Sequence, residues 1–283
     1  MYVSMKDMLQ KAHDGAYAVM AINCFNLETA RTVIRAAESE NAPIIINLYQ
    51  DHLIQHCDSE LITPIVKVLA NRSKVKIALN FDHGQEVLLL KKAIDDGFSS
   101  VMVDGSRFGL EGNIAMTREI VNFAHPKGVS VEGEIGCIGA TEGAEFTEHS
   151  MYTDPDEAVR FARETSIDAL AVSIGSSHGN YPADMIPSFD FERLRQIKAM
   201  TGLPLVLHGG SGSGEKNICQ AVKDGINKIN VGCDFMNANV AAVKNRLQEN
   251  PDINYYDLVE RVETDSMEIV RHYIRLSGSY NKN

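Results

Sequence analysis

The sequence predicts a (β/α)8 barrel, and three observations carry that prediction. Eight short apolar runs alternate with amphipathic segments along the 283 residues, and strands regularly followed by helices build parallel α/β units. A barrel takes about 250 residues, so 1–283 reads as one barrel domain with a small addition. The unusual polar residues fall at the C-terminal ends of the runs, and a barrel gathers those ends around one rim. A doubly wound sheet is the rival arrangement, but it needs no eighth unit.

The first strand, 17–22, leads into a helical pattern over 28–40. The second, 43–48, leads into 60–71, and the third, 75–80, into 86–96. The fourth, 99–103, precedes a helix over 112–124, and the fifth, 129–134, a helix over 155–165. The sixth, 169–174, the seventh, 204–207, and the eighth, 228–231, follow, with helical patterns at 191–200 and 215–223. Several runs, such as 43–48 and 169–174, are nearly continuous in apolar residues, as strands buried on both faces require. Gly97, Gly128, Gly202 and Gly225 fall between a helix and the next strand, where glycine commonly ends a helix. Beyond the eighth helix, 257–275 reads as an additional C-terminal helix. Two loops are longer than a barrel needs, 137–153 and 176–188, and such loops lie over the active-site face.

Basic residues number 27 and acidic ones 38, a net charge of −11. That balance argues against nucleic-acid and anionic-membrane partners. It permits an anionic metabolite, because helix N-termini and backbone amides bind phosphate locally. The five cysteines are scattered without a C-x-x-C pair, so neither a thiolate zinc knuckle nor a disulfide framework is expected. The N-terminus lacks a signal-peptide core, and no apolar run approaches the ~20 residues of a membrane span. A cytoplasmic setting is the expectation.

Three histidines, His83, His178 and His208, lie just past the ends of the third, sixth and seventh runs, each followed by glycine. Any one of them alone reads first as a hydrogen-bonded core or loop residue. Three on one rim read as a catalytic zinc site, with three protein ligands and an open position. Asp82 adjoins the first, where a carboxylate can move protons or simply orient a ligand. Asn23, Asp104, Glu132, Glu134 and Asn230 share the rim. The stretch Gly209-Gly210-Ser211-Gly212-Ser213-Gly214 precedes a helix and reads as either a flexible loop or a phosphate cradle. Its place after the seventh strand favours phosphate, with 230–234 after the eighth strand beside it.

The segments Asn80-Phe81-Asp82-His83-Gly84, Val131-Glu132-Gly133-Glu134-Ile135-Gly136, Gly175-Ser176-Ser177-His178-Gly179, Leu207-His208-Gly209-Gly210-Ser211-Gly212 and Lys228-Ile229-Asn230-Val231 are correctly ordered and spaced. Together they resemble the class II, zinc-dependent fructose- and tagatose-bisphosphate aldolases, from about residue 1 to Ser277-Gly278-Ser279. The resemblance implies reversible cleavage of a ketose phosphate to dihydroxyacetone phosphate and an aldehyde, by a homodimer or homotetramer of carbohydrate metabolism. It implies that His83, His178 and His208 hold zinc, with Asp104 and Glu134 at positions used when the metal shifts or a second cation binds. Asp82 would handle the C4 hydroxyl proton, and Glu142 the C1 proton of dihydroxyacetone phosphate, with Glu145 a possible substitute. Asn23 and Asn230 would steady the enediolate. Gly179, Gly209, Gly210 and Ser211, with Asn230, Gly232, Cys233 and Asp234, would take the phosphate, a monovalent cation such as Na+ or K+ nearby. Arg261 matches an arginine that reaches a distal phosphate across a dimer; its alternative reading is a surface arginine.

Several positions depart from that pattern. Tyr49 stands where a small hydroxyl residue is usual, and Pro182 replaces a lysine. Gly232 and Cys233 replace polar residues, and 140–143 replaces a more acidic loop. These changes bear on substrate identity more than on metal chemistry. Zinc can polarise a ketone where other aldolases use a Schiff-base lysine. No lysine ends a strand here: Lys76 lies near the start of the third, and Lys228 reads as the first residue of the eighth. A ketose 1-phosphate or a keto-sugar-acid phosphate is the alternative substrate. A barrel metallohydrolase and a non-catalytic metabolite-binding barrel are the alternative functions.

Overall fold

The structure is a computed structural model and describes residues 1–136, 139–140, 152–179, 181–182 and 185–283. Eight parallel strands close a barrel: β1 (Val19–Asn23), β2 (Ile44–Tyr49), β3 (Ile77–Gly84), β4 (Ser100–Val103), β5 (Ser130–Ile135), β7 (Ala169–Val172), β9 (Leu205–Leu207) and β10 (Ile226–Val231). Around the barrel the order is β1-β10-β9-β7-β5-β4-β3-β2, the predicted closed sheet. Two short strands, β6 (Gly139–Ala140) and β8 (Ser177–His178), pair in parallel above the rim and were not foreseen.

Helices connect the strands: α2 (Leu27–Ser39), α3 (Gln50–Gln55), α4 (Ser59–Arg72), α5 (Val87–Asp96), α6 (Gly109–Ala124), α7 (Pro155–Thr165), α8 (Phe191–Thr201), α9 (Glu215–Lys223) and α10 (Cys233–Glu249). The additional C-terminal helix is α11 (Tyr255–Leu276). Local signals set several ends. Asn26 and Thr29 form a capping box at α2, and Asp154 accepts from the first-turn amides of α7 with Pro155 behind it. Gly97 and Gly202 cap α5 and α8 in left-handed conformations, φ 102° and 64°. No helix among the described residues is long and apolar enough to cross a membrane.

Strand residues alternate between two cores. The outward set, such as Ile22, Ile46, Leu79, Val101, Leu170 and Ile229, packs beneath the inner faces of the helices. The inward set includes four alanines, Ala21, Ala78, Ala169 and Ala171, among larger residues such as Val19, Ile45 and Val206. The alanines leave room for α1 (Met5–Asp14), unanticipated from sequence, which inserts Met5, Met8, Leu9 and Ala12 into the barrel mouth as a plug. Higher in the barrel the inward positions become polar. Asn80 donates to Asn47 at 2.9 Å and accepts from Ser100 at 2.8 Å. Lys228 is the third residue of β10, not the first as read from sequence, because the strand begins at Ile226. That register points Lys228 inward, to Glu132 of β5, three strands away around the wall.

Candidate metal and catalytic site

Asp82 and His83 are consecutive, so a regular strand would aim them at opposite faces. A bulge solves this. From Phe81 to Gly84, β3 advances three residues while its partner β4 advances two, from Val101 to Val103. His83 takes a left-handed backbone, φ 52°. A non-glycine residue held there is strained, and such strain clusters at functional sites. Both side chains thereby turn toward the rim. A second close approach brings His178 and His208 together. A Cβ on Gly209 would lie 2.4 Å from the Ser177 carbonyl oxygen, so only glycine lets these loops touch.

The three imidazoles meet as the sequence predicts. One ligand nitrogen from each of His83, His178 and His208 lies within 4.8 Å of the others. His208 Nε2 faces Glu132 Oε1 at 2.9 Å, and His83 Nδ1 faces Asp104 Oδ2 at 3.2 Å. A carboxylate only accepts, so each of these ring nitrogens donates. The remaining nitrogens, His208 Nδ1 and His83 Nε2, then carry lone pairs and sit 3.0 Å apart. At that distance the pair needs a positive charge between them, which either a shared proton or a bound metal ion supplies. The electrostatics agree. Burial opposes charge on His83, yet Asp82, the Asp104 hydrogen bond and Glu134 raise its pKa to about 10. Burial, reinforced by the other two imidazoles, pushes His178 down to about 3. Burial and His83 hold His208 well below its ordinary value. The cluster therefore favours one positive charge among three rings, and its donor set fits a zinc-like divalent ion.

Asp104 also accepts from Ser106 Oγ at 2.7 Å and from Gln85 Nε2 at 3.2 Å. Glu134 Oε2 lies 4.0 Å from His83 Nδ1, buried without a hydrogen-bond partner. Burial, with Asp104 nearby, raises its pKa to about 8. This orphaned oxygen behind His83 suits a displaced or second cation.

Asp82 is 2 % exposed and is gripped on both oxygens, by Asn230 Nδ2 at 3.0 Å and Asn23 Nδ2 at 3.2 Å. Burial raises its pKa, but the charges of His83, His208 and Lys228 prevail and hold it below the ordinary carboxylate value. The two asparagines thus hold the carboxylate, a contact the sequence reading did not assign them. Asn230 Oδ1 is left buried and unpartnered beside it.

A cavity of about 270 Å³ opens over this cluster, lined by Asn23, Tyr49, Asp82, the three histidines, Gly179, Gly209, Ser211, Asn230, Gly232 and Cys233. Ser211 Oγ accepts from the Gly232 and Asp234 amides, both at 3.2 Å, at the start of α10. Asp234 accepts from the Gly212 amide at 3.1 Å and from Tyr273 of α11 at 2.5 Å. The Gly210 N–H, a predicted phosphate donor, is engaged by the Asn230 carbonyl at 3.0 Å. Arg261 is exposed on α11 and is not among the residues lining the cavity. Glu142 and Glu145 lie outside the described residues. Sequence reasoning places Glu132 on the rim without a partner and does not connect Lys228 to the site. The available signal was their charge at inward positions of otherwise apolar strands.

The pattern of class-II fructose-bisphosphate aldolases matches residues 3–282. The 6-phospho-5-dehydro-2-deoxy-D-gluconate aldolase of Halalkalibacterium halodurans is 42% identical over 268 residues, covering 94% of this chain and 92% of that protein. The fructose-bisphosphate aldolase of Staphylococcus aureus is 39% identical over 257 residues, covering 90% and 88%. Among solved structures, the YdjI aldolase from Escherichia coli K12 superposes with a TM-score of 0.87 at 32% identity, covering 100% of this chain and 99% of that one. With the barrel, the rim histidines and these matches in place, the chain belongs to the class II fructose-bisphosphate aldolase family and is a lyase.

Proposed function

We propose that this chain is a zinc-dependent aldolase, built as one catalytic domain. It reversibly cleaves a ketose phosphate of the fructose or tagatose 1,6-bisphosphate type into dihydroxyacetone phosphate and an aldehyde. The carrying observation is the Asp82 carboxylate, held in place by two side-chain amides beside three converging imidazoles. His83, His178 and His208 would hold the zinc, with Asp104 and Glu134 behind them for a shifted or second cation. Zinc supplies Lewis-acid polarisation of the substrate ketone and offsets charge left by carbon–carbon cleavage. Asp82 takes the C4 hydroxyl proton as the C4–O double bond forms and the C3–C4 bond breaks. Glu142 exchanges the C1 proton of dihydroxyacetone phosphate. Asn23 and Asn230 orient Asp82, and the free Asn230 Oδ1 accepts from a substrate hydroxyl. Gly179, Gly209 and Ser211 take the phosphate beside a monovalent cation, joined by the 232–234 segment once its Gly232 and Asp234 amides turn from Ser211 Oγ. The charge balance and the absence of a membrane-crossing helix among the described residues support a cytoplasmic enzyme, and the family supports a homo-oligomer.

A second reading is favoured by the Halalkalibacterium relative, whose name specifies a keto-sugar-acid phosphate. A panel of ketose mono- and bisphosphates and keto-sugar-acid phosphates, scored by release of dihydroxyacetone phosphate, separates the two. Phosphate ester hydrolysis without that product would favour a metallohydrolase instead. Stoichiometric zinc with no turnover would favour a non-catalytic barrel.

Activity should vanish with a chelator and return with zinc, since three neutral ligands leave the metal exchangeable. Full activity in metal-free protein, or a borohydride-trapped lysine adduct, contradicts the mechanism.

Arg261→Ala should raise KM for a bisphosphate far more than for its 1-phosphate analogue, because guanidinium binds phosphate bidentately. Binding of dihydroxyacetone phosphate should hardly change. Equal effects on both substrates would make Arg261 a surface residue and point to a ketose 1-phosphate with a different tail.

A further inference from the structure

Lys228 and Glu132 are both fully buried, and their side chains meet across the barrel interior at 2.7 Å. Burying an ion pair is rarely the cheapest way to fill a core; an apolar pair of similar volume is often as stable or more so. Apolar residues also face the barrel interior, among them Ala21, Ala78, Ala171 and Val206, so such a filling was open to this barrel. Lys228 does not line the cavity, which removes it as a nucleophile. What the pair does contact is His208. Glu132 is committed through Oε2 to Lys228, and its Oε1 takes His208 Nε2 at 2.9 Å. His208 in turn presents Nδ1 to His83.

We propose that Lys228 is a positioning residue: by pinning one oxygen of Glu132 it aims the other at His208. This fixes that ring's tautomer and orientation, and so sets the site's zinc affinity. The proposal rests on the metal reading above. It makes a prediction that simple loss of packing does not. In Glu132→Gln, Lys228 captures the amide oxygen and the amide N–H2 faces His208 Nε2. That ring must then accept at Nε2 and carry its proton on Nδ1, toward the metal position. In Lys228→Met/Glu132→Gln, the amide is free to turn its oxygen to His208 and restore the tautomer. The double variant, though it removes more, should bind zinc more tightly than Glu132→Gln.

The test is zinc titration of the full chain against a competing chelator, with the visible absorption of the cobalt-substituted protein and the thermal midpoint of the metal-free form. Glu132→Gln should lose about 10- to 100-fold in affinity, the usual cost of losing a ligand's hydrogen-bond partner. Its cobalt bands should shift, and both effects should be partly reversed in the double variant. Affinity in Glu132→Gln within threefold of wild type, or a double variant that binds as weakly, overturns the proposal. Lys228→Met alone gives an independent reading if Glu132→Gln does not fold. Unchanged affinity and cobalt bands there overturn the role of Lys228. Failure of the wild-type chain to bind zinc would instead overturn the metal reading beneath it.

Discussion

Asp82→Ala should keep its zinc and lose turnover by about 10²–10⁴-fold, the usual contribution of a positioned acid–base group. Three features single out this carboxylate. It stays ionised although buried, because His83, His208 and Lys228 outweigh desolvation. It is held on both oxygens by Asn23 and Asn230, so its direction is set before substrate arrives. It lines the same cavity as the three histidines without belonging to their set of converging nitrogens. A base needs the first two properties and a proton within reach, which the third provides. The measurement is kcat alongside bound zinc per chain. A variant with full zinc and near-normal kcat would reduce Asp82 to a residue that merely orients His83. A variant that loses zinc would place its role in metal binding.

The barrel and the core of the site were legible for one reason. Parallel strands buried on both faces appear as apolar runs, and a barrel puts whatever follows each run on one rim, so His83, His178 and His208 could be assembled by counting. What was hidden depends on register and on backbone conformation. The β3 bulge that turns Asp82 and His83 the same way inserts one residue into a pairing, and nothing in Asn80–Gly84 marks where. Lys228 was placed at the start of a strand that begins two residues earlier, and the true register points it at Glu132. The α1 plug was missed because its apolar residues, Met5, Met8, Leu9 and Ala12, are interleaved with charge. Their partner is the barrel floor, assembled from distant alanines. Asn23 and Asn230 were read toward substrate, and their grip on Asp82 spans three different strands.

His208→Ala should remove the zinc itself, and activity with it. A catalytic zinc has only three protein ligands, so deleting one removes a third of its anchorage and opens a second position to water. The affinity loss should exceed the about 10- to 100-fold expected when only a ligand's hydrogen-bond partner is lost. His208 is the most deeply buried of the three: it is 1 % exposed, bonded to Glu132, and 3.0 Å from His83. Its removal therefore has two separable costs. The Glu132–Lys228 pair loses a contact whether or not metal is bound. The metal's own stabilisation, which grows with ligand concentration over Kd, disappears only from the loaded protein. Thermal midpoints measured with excess zinc and with chelator should show it: the wild type rises on adding zinc, and the variant does not. Metal analysis of the purified variant should find far less than one zinc per chain. Stoichiometric zinc at unchanged affinity, with the zinc-induced rise in midpoint intact, would mean that His208 is a partner of Glu132 and not a ligand. The metal would then have to be held by His83 and His178, with Glu134 the nearest unpartnered carboxylate able to complete the set.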